Sequence, residues 1–104
     1  MVIIETQIFT KTINSLMDDA EYKALQEALV NRPDMGALIR NGGGLRKARW
    51  ALDGRGKSGG ARIIYYWMSP RDQIYMIYAF PKNERENLTD VQLKALRQIV
   101  ERWS

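Results

Sequence analysis

Lys47, Arg49 and Arg62 are the residues of this sequence best placed to do chemistry, with Lys57 and Lys82 nearby. Residues 45–52 alternate with a period of two. Lys47, Arg49 and Ala51 therefore fall on one face, and Ala48, Trp50 and Leu52 on the other. Residues 61–68 form a second such stretch, in which Arg62 shares a face with Ile64 and Tyr66. Paired as an antiparallel hairpin, the two stretches bring same-face side chains within about 5–8 Å of one another. Cations so placed repel, which stability alone would not select. Guanidinium and ammonium groups converging in this way grip phosphates. Tyr65, Tyr66, Trp67, Tyr75 and Tyr78 lie close by in sequence and are suited to stack bases, although core filling is the commoner use of each.

The 104 residues contain neither histidine nor cysteine. Any acid or base must therefore be Lys, Arg, Tyr, Asp or Glu, and both disulfides and thiolate metal sites are excluded. No Asp/Glu group has ligand-like spacing, so neither a metal nor a cofactor is expected. The absence of cysteine and of any apolar run near the 18 or so residues of a membrane span leads to the expectation of a cytoplasmic protein with no membrane partner. The formal net charge is +4, yet residues 40–62 alone hold seven cations against Asp53. A basic hairpin on a slightly acidic body favours a polyanion.

Such a site has a natural reaction. RNA supplies its own nucleophile, the 2′-hydroxyl, and its in-line attack on phosphorus builds negative charge on the phosphoryl oxygens. Fixed cations stabilise that charge where it develops, and positioning supplies much of the remainder. Lys47 is the expected base, because neighbouring cations favour release of its proton, with Glu84 as second choice.

Two phosphate-loop motifs fail on context. Residues 54–59 match G-x-G-x-x-G literally but lie between strands and open no helix. Gly56, Lys57 and Ser58 resemble the end of a P-loop whose earlier glycine would fall on Ala51. What remains is a basic hairpin tip, with Arg55 and Lys57, able to meet phosphate.

Around these residues the patterning calls for a single α+β domain over 1–104. An apolar edge strand at 2–4 precedes a helix at 6–17 with Phe9, Ile13, Leu16 and Met17 on one stripe. A second helix, capped by Asp18 or Asp19, presents Tyr22, Leu25, Leu29 and Val30 and ends at Pro33. Residues 33–44 read as a connection with room for one short helical turn, ending in three glycines. Strands follow at 45–52, 61–68 and 74–80, the last two apolar on both faces. Thr89 and Gln92 form a capping box before a helix with Leu93, Leu96, Val100 and Trp103 on its buried stripe. The expected order is β-α-α-β-β-β-α, with a small antiparallel-rich sheet and helices packed on one face only.

Three segments carry a resemblance to a known family. Gly43-Gly-Leu-Arg-Lys-Ala-Arg49, Gly60-Ala-Arg-Ile-Ile-Tyr-Tyr66, and Tyr78-Ala-Phe-Pro-Lys-Asn-Glu84 with Leu88-Thr89 resemble the HigB branch of the RelE/ParE toxins of bacterial toxin–antitoxin systems. The resemblance implies a RelE-like fold, ribosome-dependent cleavage of mRNA in the A site, and neutralisation by a cognate antitoxin, in this branch usually a helix-turn-helix protein like HigA. By position it implies catalytic roles for Lys47, Arg49, Arg62 and Lys82, and RNA or ribosome contacts for Arg46, Arg55, Lys57, Asn83 and Glu84. Some relatives have arginine where this chain has Asn83, and a tyrosine a few residues later, where it has Asn87 and Leu88. The superfamily also contains non-catalytic ParE-type inhibitors of DNA gyrase, and a plain nucleic-acid-binding module is a further alternative.

Overall fold

A computed structural model of the chain describes residues 1–52, 60–82 and 87–103, the side chain of Trp103 excepted. Arg55, Lys57, Asn83, Glu84, the glycine motif at 54–59 and the place of Trp103 on the last helical stripe lie outside the described residues.

The elements are β1 (Val2–Glu5), α1 (Gln7–Leu16), α2 (Asp19–Asn31), β2 (Ala37–Leu38), β3 (Leu45–Trp50), β4 (Ala61–Met68), β5 (Gln73–Pro81) and α3 (Asp90–Trp103). They form one five-stranded sheet in the order β1-β5-β4-β3-β2. β1 runs parallel to β5, and the other pairs are antiparallel. The architecture is α+β with the expected succession of elements. The addition is β2, two residues within the 33–44 connection that pair with β3 through Ala37↔Lys47 and Leu38↔Arg46.

Local chemistry explains the helix boundaries. Asp18 accepts from the backbone N–H of Glu21 at 2.8 Å while the Glu21 carboxylate receives the Asp18 N–H at 3.2 Å, a reciprocal cap that opens α2. Thr89 and Gln92 do the same for α3, at 3.1 and 2.9 Å. On α1 the stripe of Phe9, Ile13 and Leu16 is buried, as is Met17 just beyond it. On α2, Leu25 and Leu29 are fully buried and Tyr22 is half-buried, but Val30 is exposed, one step too far round the helix to reach the sheet.

The sheet is covered on both faces, which corrects the expectation of helices on one face only. Alternation along β4 sends Ile63 and Tyr65 to one side, where they meet Phe9, Leu25 and Leu29 of α1 and α2. Ile64 and Tyr66 go to the other, where Leu93, Leu96, Ile99 and Val100 of α3 pack with them. Strands apolar on both faces leave water only when both are covered, and each fully buried aliphatic or aromatic side chain contributes about 1.5–3 kcal/mol.

β5 carries an irregularity that decides what lies on the α3 side. Ile64 pairs with Tyr78 and Tyr65 with Met76, so Ile77 is an extra residue, a β-bulge. The bulge resets the alternation: Ile74 and Met76 face α1 and α2, while Ile77, Tyr78 and Phe80 all join the α3 side. Thr6 stabilises this break. Its hydroxyl donates to the Ile77 carbonyl at 2.7 Å and accepts from the Phe9 backbone N–H at 3.0 Å, so one side chain satisfies the bulge and caps α1. Glu5 performs a similar stitch, receiving the hydroxyls of Thr10 and Tyr22 on its two carboxylate oxygens.

Replacing Thr6 by valine, which keeps the shape and removes the hydroxyl, is expected to cost about 2–3 kcal/mol, the lost cap plus a carbonyl left without its donor. Urea unfolding of Thr6→Val against the parent measures it; a loss under about 0.5 kcal/mol would show that the bulge does not depend on this contact.

Candidate nucleic-acid interface

The cations of β3 and β4 reach one face because of the register. Arg49 and Arg62 are direct partners across the antiparallel pair, and Lys47 lies opposite Ile64. Leu45, on the same side of β3, packs with the α3 residues, so the cationic positions share the face that α3 covers. Like charges directly opposed across a sheet are destabilising. Near this end of the sheet α3 stands away from the strands and leaves an open groove of about 870 Å³.

Lys47, Arg49 and Ile64 form the groove's floor. One wall is β2 with the turn that follows it, including Arg40 and Asn41; the other is α3 with its entry, including Asn87, Asp90, Lys94 and Arg97. Among the described residues, five cations thus line the groove against one acid, Asp90. The Lys47 ammonium donates to the Asn87 side-chain oxygen at 2.6 Å, across the groove from strand to helix entry. An amide acceptor holds the amine in place without neutralising it. Arg97 bridges the walls, donating to the Asn41 carbonyl at 3.1 Å, with Glu101 3.9 Å away on the next turn of α3.

The other cations named from the sequence are dispersed. Arg62 is enclosed, only 4% exposed, and its guanidinium approaches the Ala61 carbonyl at 3.4 Å. Lys82 is exposed at the end of β5, two residues beyond Phe80, which is the cross-strand partner of Arg62. Its backbone N–H donates to the Gly60 carbonyl at 2.8 Å, which ties it to the same end of the sheet.

Arg46 lies elsewhere. Alternation places it on the opposite face from Lys47, where it donates to the carbonyls of Gly36 at 2.8 Å and Asp34 at 3.4 Å and stacks its guanidinium 6.0 Å from the Trp67 ring. These contacts pin the turn that leads into β2. Tyr65 pins it from beneath, donating to the Pro33 carbonyl at 2.6 Å and accepting from the Gly36 N–H at 2.9 Å. Gly36 is required there, because a Cβ would lie 2.8 Å from the Tyr65 ring. Arg46 thus shapes the groove through β2 without facing it.

The aromatic residues are spent on packing. Tyr65 is fully buried and Tyr75 nearly so; Tyr66 stacks on Tyr75 with ring centroids 6.3 Å apart, and Tyr78 packs against Phe80 at 5.8 Å. Among the described residues no aromatic side chain lines the groove. Gly44, with φ of +101°, lets the turn pass over the Tyr66 ring, where a Cβ would approach to 2.6 Å.

Of the groove's polar residues, Arg40, Asn41, Asn87, Asp90, Lys94 and Arg97 were not among the sequence's candidate site residues. The signal for Lys94 is its i, i+3 spacing with Arg97 on the edge of the last apolar stripe, which reads as a solvated helix face until the helix is docked. Among the described residues no group of acidic side chains could hold a metal ion, and no helix is long and apolar enough to cross a membrane.

A protein-family model described as the RelE toxin of the RelE/RelB toxin–antitoxin system matches residues 1–104.

Tyr65 offers a direct test of the groove's support. Burial pushes its phenol above the ordinary tyrosine value near 10, with the Gly36 N–H pulling weakly the other way. The unfolded chain ionises first as pH rises, so the stabilisation is complete below about pH 10 and is lost as pH climbs toward the folded value. Tyr65→Phe is expected to cost about 1–2 kcal/mol at pH 7 through its two hydrogen bonds, and to show a smaller further loss than the parent between pH 10 and 11. Urea unfolding at pH 7, 10 and 11 reads both effects; equal alkaline slopes would assign the alkaline loss to other groups.

Proposed function

The chain belongs to the RelE toxin family, and from that premise we propose that it is a ribosome-dependent endoribonuclease that cuts translated mRNA in the A site. Membership makes it the toxin of a toxin–antitoxin pair, with an antitoxin as partner. The observation that carries the nuclease reading is the placement of Lys47 and Arg49 on the floor of a cationic groove, with Arg62 directly across from Arg49. Guanidinium and ammonium groups gathered on one face in this way are suited to hold a phosphate.

In this reading the scissile phosphate sits over Lys47 and Arg49. The 2′-oxygen attacks phosphorus, the bond to the 5′-oxygen breaks, and a 2′,3′-cyclic phosphate and a 5′-hydroxyl result. One proton leaves the 2′-hydroxyl and one reaches the departing oxygen. Lys47 and Arg49 stabilise the charge that grows on the non-bridging oxygens, the term from which such sites gain most. The enclosed Arg62 adds fixed positive potential behind them, undiminished by solvent. Lys82 extends the cationic surface at the end of β5, and Arg55, Lys57, Asn83 and Glu84 are proposed as contacts to RNA or ribosome. Asn87 positions Lys47. The antitoxin is proposed to be a helix-turn-helix protein of the HigA kind, encoded in a neighbouring reading frame.

Purified protein added to translating ribosomes, with mRNA ends mapped by primer extension, tests the reading. The parent is expected to cut within the A-site codon. Lys47→Ala and Arg49→Ala are each expected to slow cutting about 100-fold or more, the usual scale for losing one transition-state donor. Arg46→Met, on the opposite face, is expected to lower stability and leave cutting within a few-fold of the parent. Intact mRNA with the parent protein would overturn the proposal, and inhibition of gyrase supercoiling in its place would select a ParE-type activity.

A further inference from the structure

The groove extends beyond the residues that the proposed chemistry uses. Arg40 on one wall and Lys94 on the other are exposed, and each stands on a different element from Lys47 and Arg49. Resting on the nuclease reading, we propose that this part of the groove is a track for the RNA strand leading away from the cut, with Arg40 and Lys94 taking the flanking phosphates from opposite sides.

Three features support a phosphodiester strand as the occupant. The groove is continuous with the reacting site, since Lys47 and Arg49 line both. Among the described residues its lining is strongly one-signed, with Asp90 the sole acid. It is also held open before anything binds: the Arg97 bond to Asn41 braces wall to wall, and the Lys47 bond to Asn87 braces floor to wall. A preformed groove loses little entropy on binding. With no aromatic among its described lining residues, it recognises the backbone in place of stacked bases and tolerates any sequence.

Fluorescence anisotropy of a labelled 12-nucleotide oligouridylate, titrated with intact protein at several salt concentrations, tests the track. Uridylate stacks poorly, so its binding reports phosphate contacts. The Arg40→Ala, Lys94→Ala double variant is expected to bind about tenfold more weakly. Its salt slope should be smaller by about 1.4, because each phosphate contact on a single strand contributes about 0.7. Both side chains are exposed, so thermal unfolding should match the parent and show that the fold is intact. Unchanged affinity and slope would overturn the track. Unchanged oligouridylate binding with weakened antitoxin binding would also overturn it, by assigning the groove to an acidic protein segment. The mRNA-cutting assay is read separately: a parent that cuts on ribosomes while the double variant binds oligouridylate normally defeats the track alone, and a parent that cuts nothing defeats the nuclease reading.

Discussion

The pairing of β4 with β5, interrupted by the bulge at Ile77, is the constraint on which the other features depend. Both strands are apolar on both faces, so the sheet folds only if each face is covered. α1 and α2 cover one side and α3 the other. The bulge sends Ile77, Tyr78 and Phe80 together to the α3 side. In uninterrupted alternation Tyr78 and Phe80 would point toward α1 and α2, and the surroundings of Arg62 would lose the partner that Phe80 provides. Thr6 maintains the break with one hydroxyl that serves both bulge and helix cap.

The site follows from incomplete coverage of that second face. α3 packs with Tyr66 and Ile77 but leaves the floor at Lys47 and Arg49 open. Arg97 ties wall to wall through a backbone carbonyl, and Lys47 ties floor to wall through an amide oxygen. On the proposed nuclease reading, holding an anionic backbone calls for this combination: cations gathered on one face, and a frame rigid enough to keep them there.

The two faces of β3 divide the labour. Lys47 and Arg49 look into the groove, while Arg46, one residue away, looks out on the other side and fastens the turn before β2. Three neighbouring cations, equivalent by composition, thus do different work because a strand reverses direction at every residue. Tyr65 and Arg46 together hold β2 in register against β3, and β2 supplies one wall of the groove.

Much of this was legible in the sequence. The helices announced themselves through apolar stripes and capping pairs, since these depend on residues three or four apart. The strand parity that puts Lys47, Arg49 and Arg62 on one face was readable because alternation is a local property. What only the tertiary structure decided depends on distant residues. The two-residue β2 has no pattern of its own and exists because Arg46 and Tyr65 anchor the turn ahead of it. The bulge is invisible in a run of apolar residues whose two faces look alike. The docking of α3 on the second face turned Lys94, Arg40 and Asn87 from solvated residues into the walls of a groove, and no spacing along the chain encodes which side of a two-faced sheet a helix will choose.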